Sequence, residues 1–201
     1  MARLSTEILI VGGGPAGLSA ALSAAAGAAV TIIDDNATLG GQIWRAELGK
    51  TGSPAAKQII DAVDSGEIAV VNSAQVFASS GDRTLIAQTP KGCTEIEFQK
   101  LIIATGARER FLPFPGWTLP NVFGAGGLQA LAKGGLPVKG KRIVVSGTGP
   151  LLIAVAEYLK AKGAKVAAVV EQTSAAKLRR FGIGLWSAPS KLVQAAVLKA
   201  R

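Results

Sequence analysis

The first third of the chain begins with the pattern that most constrains its fold. A continuous apolar run, Glu7 to Val11, is followed by the glycine-rich stretch of residues 12–17 and, further on, by a second apolar run from Ala29 to Ile33. Runs rich in β-branched residues are typical of parallel strands buried on both faces. The alanine-rich segment between them predicts a helix over residues 16–26. The pattern therefore predicts a βαβ unit with a right-handed crossover.

The glycine spacing inside this unit predicts a dinucleotide site. The first glycine permits a tight turn, the second lets the backbone approach a pyrophosphate, and the third lets the helix pack against the strand. Free N–H groups at the helix N-terminus attract phosphate. A carboxylate 22 residues after the first glycine ends the second strand, where it can accept hydrogen bonds from ribose hydroxyls. The candidate binding residues are Gly12, Gly14, Pro15, Ala16, Gly17, Asp34 and Asp35. The alternative is a βαβ turn that binds no ligand.

The composition excludes several kinds of chemistry. The 201 residues include no histidine and one cysteine, Cys93. The chain therefore lacks the commonest general base and metal ligand, and it cannot form an internal pair of redox cysteines. We predict no metal site and an inert thiol at Cys93. The most apolar stretch, residues 18–33, is shorter than the ~20 residues of a membrane span, and together with the single cysteine this predicts a cytoplasmic protein.

Positive charge is concentrated in the last third of the chain. Residues 1–132 contain 9 Lys/Arg and 11 Asp/Glu, whereas residues 133–201 contain 13 and 2, within a total net charge of +9. No basic run is interleaved with aromatic residues, so we predict no nucleic-acid partner. The basic part is predicted to be a solvated surface. An acidic partner or a phosphate ligand remains the alternative.

Apolar runs and turn signals predict the remaining elements. Pro90-Lys91-Gly92 and Gly81-Asp82 are hairpin signals, so the short strands around them form an antiparallel meander. The predicted elements are a helix over 54–63, strands over 68–71, 75–78, 84–88, 94–98 and 101–104, a short helix over 128–133, a strand over 141–145, a helix over 150–162, a strand over 166–170, a basic loop, and a helix over 190–200.

A second glycine motif follows the strand predicted over 141–145. Its spacing is Gly147-x-Gly149-x-x-Leu152, and Glu171 lies 24 residues after Gly147. A carboxylate at that place favours NAD over NADP, but leucine at the third position holds the helix farther from the strand. Two interpretations stay open: an NAD(P) site at Gly147, Gly149 and Glu171, or a βαβ unit that keeps the fold without the ligand.

The order of these elements, with a buried strand ending in Ala104-Thr105-Gly106, resembles the FAD domain of the two-dinucleotide-binding flavoproteins, which include glutathione and thioredoxin reductases. The resemblance implies that FAD is also contacted by the first meander strand near adenine and by a glycine pair beside the flavin. It adds Gly41, Gln42, Val76, Ala104, Thr105 and Gly106 to the candidates; for residues 40–42 the alternative is an ordinary surface turn. The expected fold is α/β: a Rossmann-like parallel sheet with a three-stranded meander, plus an incomplete second βαβ lobe. The expected domains are 1–115, a connection over 116–139, and 140–201.

Three segments narrow the resemblance. GGQIWR (40–45), residues 101–131 and residues 140–166 are similar to the A subunits of bacterial opine, hydroxyproline and related amine oxidases or dehydrogenases, and to the B subunits of hydrogen cyanide synthases. The resemblance implies an FAD-dependent component of a heteromeric enzyme that oxidises an amino acid or secondary amine. It leaves a role for Arg45, Arg108 and Arg110 open, as phosphate or carboxylate partners, whereas Trp44 and Trp117 are expected to pack.

The complete family pattern implies one further element, a late strand ending in Gly-Asp whose carboxylate holds the flavin ribityl chain. This sequence contains no such element. We therefore expect the N-terminal part of a longer protein or a shortened gene product. Whether it acts as an enzyme component stays open, the alternative being a non-catalytic nucleotide-binding or assembly fragment.

Overall fold

The structure is a computed structural model that describes residues 1–44, 54–184 and 190. The chain divides into two compact units, Met1–Arg108 and Glu109–Arg201. Each unit contains one βαβ arrangement with its own apolar core, and we describe them in turn as unit one and unit two.

Unit one is built on a mixed six-stranded sheet. Its strands lie in the order β3-β2-β1-β6-β5-β4; β1 is parallel to β2 and β6, β2 is parallel to β3, and the last three strands are antiparallel. This confirms the predicted parallel sheet with a three-stranded meander. The elements are β1 (Ala2–Val11), α1 (Pro15–Ala25), β2 (Val30–Ile33), α2 (Gly41–Trp44), α3 (Pro54–Asp64), β3 (Ile68–Val71), β4 (Gln75–Gly81), β5 (Thr84–Thr89) and β6 (Gly92–Ile103).

Strand β6 differs from the prediction. The sequence suggested two strands, 94–98 and 101–104, because polar residues separate the two apolar runs, but the structure has one strand of 12 residues. The reason is β1, which is also longer than predicted and pairs with β6 from Ala2↔Thr94 to Val11↔Ile103. The polar side chains of Gln99 and Lys100 are exposed, so they continue the strand at no desolvation cost.

Strand β1 is the centre of the core of unit one. Leu9 and Ile10 are both 0% exposed and lie on opposite faces of the sheet. Ile10 packs with α1 and α3 through Leu18 and Ile59, whereas Leu9 packs with the meander through Ile96. Burying a side chain of this size stabilises the fold by about 1.5–3 kcal/mol. The apolar run of β1 thus becomes a strand covered on both faces, as its sequence predicts.

Unit two contains a two-stranded parallel sheet covered by helices. Strands β7 and β8 pair from Arg142↔Lys165 to Gly147↔Glu171, and α5 packs its buried face, including Val155 and Leu159, into the core. This is the incomplete second lobe expected from the sequence. The elements are α4 (Ala125–Lys133), β7 (Arg142–Gly147), α5 (Leu151–Ala161), β8 (Lys165–Glu171) and α6 (Ala175–Gly184).

Helix α6 contradicts the predicted basic loop after Glu171. The prediction was wrong because it relied on hydrophobic periodicity, and α6 buries none of its residues. A helix without a buried face has a weak periodic signal. The predicted helix over 190–200 lies outside the described residues except for position 190.

Candidate functional site

Three turns of unit one meet at the carboxyl edge of the sheet. The N–H of Gly12 donates to the Ile33 carbonyl at 2.8 Å, and the N–H of Ala104 donates to the Val11 carbonyl at 2.8 Å. The ends of β1, β2 and β6 are therefore side by side. From β1 the chain runs to β2 on one side, while β6 lies on the other, so this edge is a topological switch point, where open α/β sheets bind their ligands.

Gly12 occupies a position that only glycine fits. Its φ of +111° lies in the left-handed region, and a Cβ there would overlap the carbonyl oxygen of Ala104. The glycine turn and the end of β6 are thus in direct backbone contact. This contact brings the Ala104-Thr105-Gly106 turn beside the glycine motif.

Gly17 brings α1 onto the same turn. A Cβ at Gly17 would overlap the carbonyl oxygen of Gly12 and lie 3.3 Å from the Ile10 Cγ2. The helix begins at Pro15, and its N-cap, Gly14, makes no side-chain hydrogen bond. The first-turn N–H groups of Ala16 and Gly17 have no intrahelical acceptor. They form an N-terminus of the kind that binds phosphate.

The two aspartates after β2 have different surroundings. Asp34 is 5% exposed, and its Oδ2 accepts a hydrogen bond from the N–H of Gly13. Its Oδ1 accepts from the backbone N–H of Asn36 at 2.7 Å and from the Asn36 side chain at 2.9 Å. Asp35 is exposed, and the Asn36 amide donates to its Oδ1 at 2.8 Å. Asp34 therefore holds the glycine turn, while Asp35 faces solvent.

The glycine pair that follows packs on the glycine motif. The N–H of Gly40 donates to the Gly13 carbonyl at 2.8 Å, and a Cβ at Gly41, whose φ is +55°, would lie 2.9 Å from the Gly14 Cα. The segment is therefore not a detached surface turn. The Gln42 side chain donates from Nε2 to the Ala107 carbonyl at 2.8 Å, which ties this turn to the one after β6.

The remaining sequence candidates are placed less uniformly. Val76 packs in the core beneath the meander, two residues after Ala74, whose N–H donates to the Asp34 carbonyl at 2.9 Å. Thr105 and Gly106 are exposed at the end of β6. Trp44 packs against the core of unit one. Arg108 ends unit one and is exposed; Arg110 and Trp117 belong to unit two and are exposed. Arg45 lies outside the described residues.

The second glycine motif forms a turn closed by its own side chains. Leu152 is 6% exposed, and its Cδ2 lies 3.2 Å from where a Cβ of Gly147 would be. Glu171 accepts hydrogen bonds from the N–H of Gly149 at 2.9 Å and of Thr173 at 2.8 Å. These bonds, with those from the hydroxyls of Thr173 and Thr148, lower the pKa of Glu171 from 4.5 to about 2. The carboxylate is therefore engaged within the turn.

Sequence reasoning missed two groups that shape these turns. Gly13 holds Asp34 through its N–H, and the run of three glycines was the available signal. In unit two, Glu109 accepts hydrogen bonds from the N–H groups of Gly126 at 3.0 Å and Gly127 at 3.2 Å, which caps the first turn of α4. The 17 residues that separate Glu109 from Gly126 leave no local signal for this contact.

Residues 6–187 match the family model described as pyridine nucleotide-disulphide oxidoreductase. The chain belongs to this family. Similar proteins include HcnB, a component of the hydrogen cyanide synthase of Pseudomonas protegens, which is 34% identical over 199 residues, covering 92% of this chain and 42% of the relative. The A subunit of an opine oxidase of Rhizobium meliloti is 37% identical over 171 residues, covering 76% and 32%. The chain thus spans less than half of these relatives.

The solved structures show the same fold. L-proline dehydrogenase from P. horikoshii superposes with a TM-score of 0.68 at 20% identity, over 87% of this chain and 37% of that one. Together with the family match, this confirms the Rossmann-like FAD/NAD(P) oxidoreductase fold and the resemblance to opine oxidase and hydrogen cyanide synthase subunits. The family is one of FAD-binding oxidoreductases, so FAD is the expected cofactor.

Two searches of the described residues have simple results. Across residues 1–44 and 54–184, no helix is long and apolar enough to span a membrane. In the same ranges, no group of three or more Cys, Asp or Glu side chains is arranged to hold a metal ion. The candidate site is therefore a nucleotide-binding edge built mainly from backbone.

Proposed function

We propose that unit one binds FAD at the carboxyl edge of its sheet and that the chain is part of a heteromeric flavin-dependent dehydrogenase or oxidase. The observation that carries the proposal is the convergence of three turns, around Gly12, Gly41 and Thr105, at the switch point of the sheet. A βαβ turn without a ligand does not require two further glycine-containing turns packed against it.

The residues present fit the pyrophosphate of such a cofactor. The N–H groups of Ala16 and Gly17 lie in the uncapped first turn of α1, and Gly14 carries no side chain between them and solvent. The close approach of Gly41 to Gly14 keeps this face free of Cβ atoms. Backbone donors and a positive helix end are the groups that hold phosphate without lysine or arginine.

We assign different roles to the two aspartates. Asp34 keeps the glycine turn in its binding conformation, because both of its oxygens already accept hydrogen bonds from Gly13 and Asn36. Asp35, which is exposed, is the carboxylate that accepts the ribose hydroxyls. Val76 lies on the adenine side of the site, and Gln42 holds the glycine-pair turn and the Thr105 turn together beside the flavin.

The substrate class follows from the relatives. Opine oxidase and sarcosine oxidase oxidise, by their names, secondary amines, and the relatives matched here are components of those enzymes. FAD supplies hydride acceptance from the carbon beside the amine nitrogen. The chain contains no histidine, so its contribution is to bind and orient the cofactor. Partner subunits and an amine or amino-acid substrate complete the proposal, and the single cysteine favours a cytoplasmic location.

We further propose that the second glycine motif is structural. The oxygens of Glu171 are engaged by Gly149 and Thr173, and Leu152 fills the space beside Gly147. A ribose would have to displace these contacts before it could bind. This favours a βαβ unit that keeps its fold and binds no NAD(P).

Flavin retention tests the proposal directly. The purified chain should show flavin absorbance that bleaches anaerobically with an opine, sarcosine or proline. Gly17→Ala should abolish retention, because its Cβ overlaps the Gly12 carbonyl. Gly27→Ala is the matched control, since a Cβ there meets nothing within 4 Å.

Two outcomes would count against the proposal. Flavin retained equally by both variants would refute the assignment of the glycine turn. A colourless protein that binds adenine nucleotides alone, again lost in Gly17→Ala, would instead favour the non-catalytic nucleotide-binding or assembly fragment.

A further inference from the structure

The fold gathers positive charge at one end of unit two. Between residues 133 and 170 there are seven basic residues and one acidic residue, Glu157. The basic residues lie where α4 and α5 end and where β7 and β8 begin. We call this set the basic end; it consists of Lys133, Lys139, Lys141, Arg142, Lys160, Lys162 and Lys165.

Backbone contacts hold these segments together. The N–H of Lys165 donates to the Lys141 carbonyl at 2.8 Å, and the N–H of Gly140 donates to the Gly163 carbonyl at 2.8 Å. Lys139 packs on Gly163, with its Cγ 3.1 Å from where a Cβ would be. Arg142 pairs with Lys165 in the sheet. The cations are therefore neighbours in space, and all except Lys133 are exposed.

The one aromatic residue of this segment is covered by charge. Lys133 and Lys162 place their Nζ atoms 5.6 Å and 5.5 Å from the centroid of the Tyr158 ring. Cation–π contacts of this kind hold the two ammonium groups in place. They also occupy the ring, so it offers no stacking platform for a nucleic-acid base.

The basic end is separate from the second glycine motif. It lies at the amino ends of β7 and β8, whereas Gly147, Gly149 and Glu171 lie at their carboxyl ends. Six residues of β7 separate the two, which corresponds to about 20 Å at ~3.3 Å per residue. Charge placed so far from the glycine turn does not serve a nucleotide bound there.

We propose that the basic end is a docking surface for a protein partner that presents a carboxylate-rich face. Next to the lysines, Leu131 and Leu136 are 48% and 41% exposed and are joined by a backbone hydrogen bond of 2.9 Å. An apolar spot bordered by charge is the usual composition of a protein interface. Six of the seven cations are lysines rather than arginines, which favours steering of an acidic protein over phosphate recognition.

A charge-reversal experiment tests the proposal. The probe is a fluorescein-labelled decaglutamate peptide, with binding to the full chain followed by anisotropy at near-physiological salt. Lys139→Glu/Lys141→Glu/Lys165→Glu should lower the affinity by at least about tenfold. The matched control is Lys57→Glu/Lys91→Glu/Lys100→Glu, which changes the same charge at three exposed lysines of unit one and should leave the affinity within about twofold.

Each other outcome overturns the proposal. Equal losses in the two triple variants would mean that net charge alone governs binding. Tighter binding of a ten-nucleotide single-stranded DNA, or of phosphatidylserine vesicles, lost in the first variant, would assign the surface to nucleic acid or lipid. Thermal unfolding of each variant verifies that it is folded, and flavin retention by unit one reports separately on the proposed function.

Discussion

The two βαβ units of this chain share one hydrogen bond and differ at one residue. In each, a carboxylate at the end of the second strand accepts an N–H from the glycine turn: Asp34 from Gly13, and Glu171 from Gly149. In the first unit Gly17 lets α1 touch the turn, whereas in the second Leu152 stands at the equivalent place and is buried against Gly147. The shared bond shapes the turn, and the third glycine decides how closely the helix approaches it.

The greatest difference should separate the first turns of the two motifs. Gly12→Ala adds a Cβ that overlaps the Ala104 carbonyl at a φ of +111°, so we expect it to cost roughly 3–5 kcal/mol of unfolding free energy and all flavin retention. Gly149→Ala has a similar φ of +97° but open space, so it should cost only about 1–2 kcal/mol. Urea unfolding measures both. Equal costs would mean that backbone strain, not packing against β6, sets the requirement.

A smaller difference should separate the two aspartates. Asp34→Asn replaces a buried acceptor of three hydrogen bonds and should lower the unfolding free energy by about 1–3 kcal/mol. Asp35→Asn should leave stability within about 0.5 kcal/mol, because the side chain is exposed, yet weaken flavin retention. Urea unfolding and flavin titration measure the two properties. Unchanged flavin affinity in Asp35→Asn would return the ribose role to Asp34.

The most modest change concerns Glu171 and depends on pH. Its pKa is lowered from 4.5 to about 2 in the folded chain, so its contribution to stability is fully present above pH 4.5 and is lost as the pH falls toward 2. Glu171→Gln should therefore lower the unfolding midpoint at pH 7, and the difference from the unchanged chain should shrink between pH 4.5 and 2. A difference that stays constant over this range would show that the charge of Glu171 has no part in holding the turn.

Much of the fold follows from local patterns. The apolar runs predict β1, β2, β3 and β7, and the glycine, proline and alanine signals predict α1 and α5. The patterns failed where a partner strand or the absence of packing decided the outcome. Strand β6 continues through Gln99 and Lys100 because β1 supplies hydrogen bonds along its whole length, and α6 is a helix although no side chain of it is buried.

The family, the cofactor class and the position of both glycine motifs could be read from the residues alone, because these depend on the short-range spacing of strand, turn, helix and carboxylate. Which groups the turns contact was decided in three dimensions. The overlap of Gly12 with Ala104, the packing of Gly41 on Gly14 and the gathering of lysines at the basic end join residues that are 23 to 92 positions apart. Such contacts arise from strand order and sheet pairing, and no local pattern encodes them.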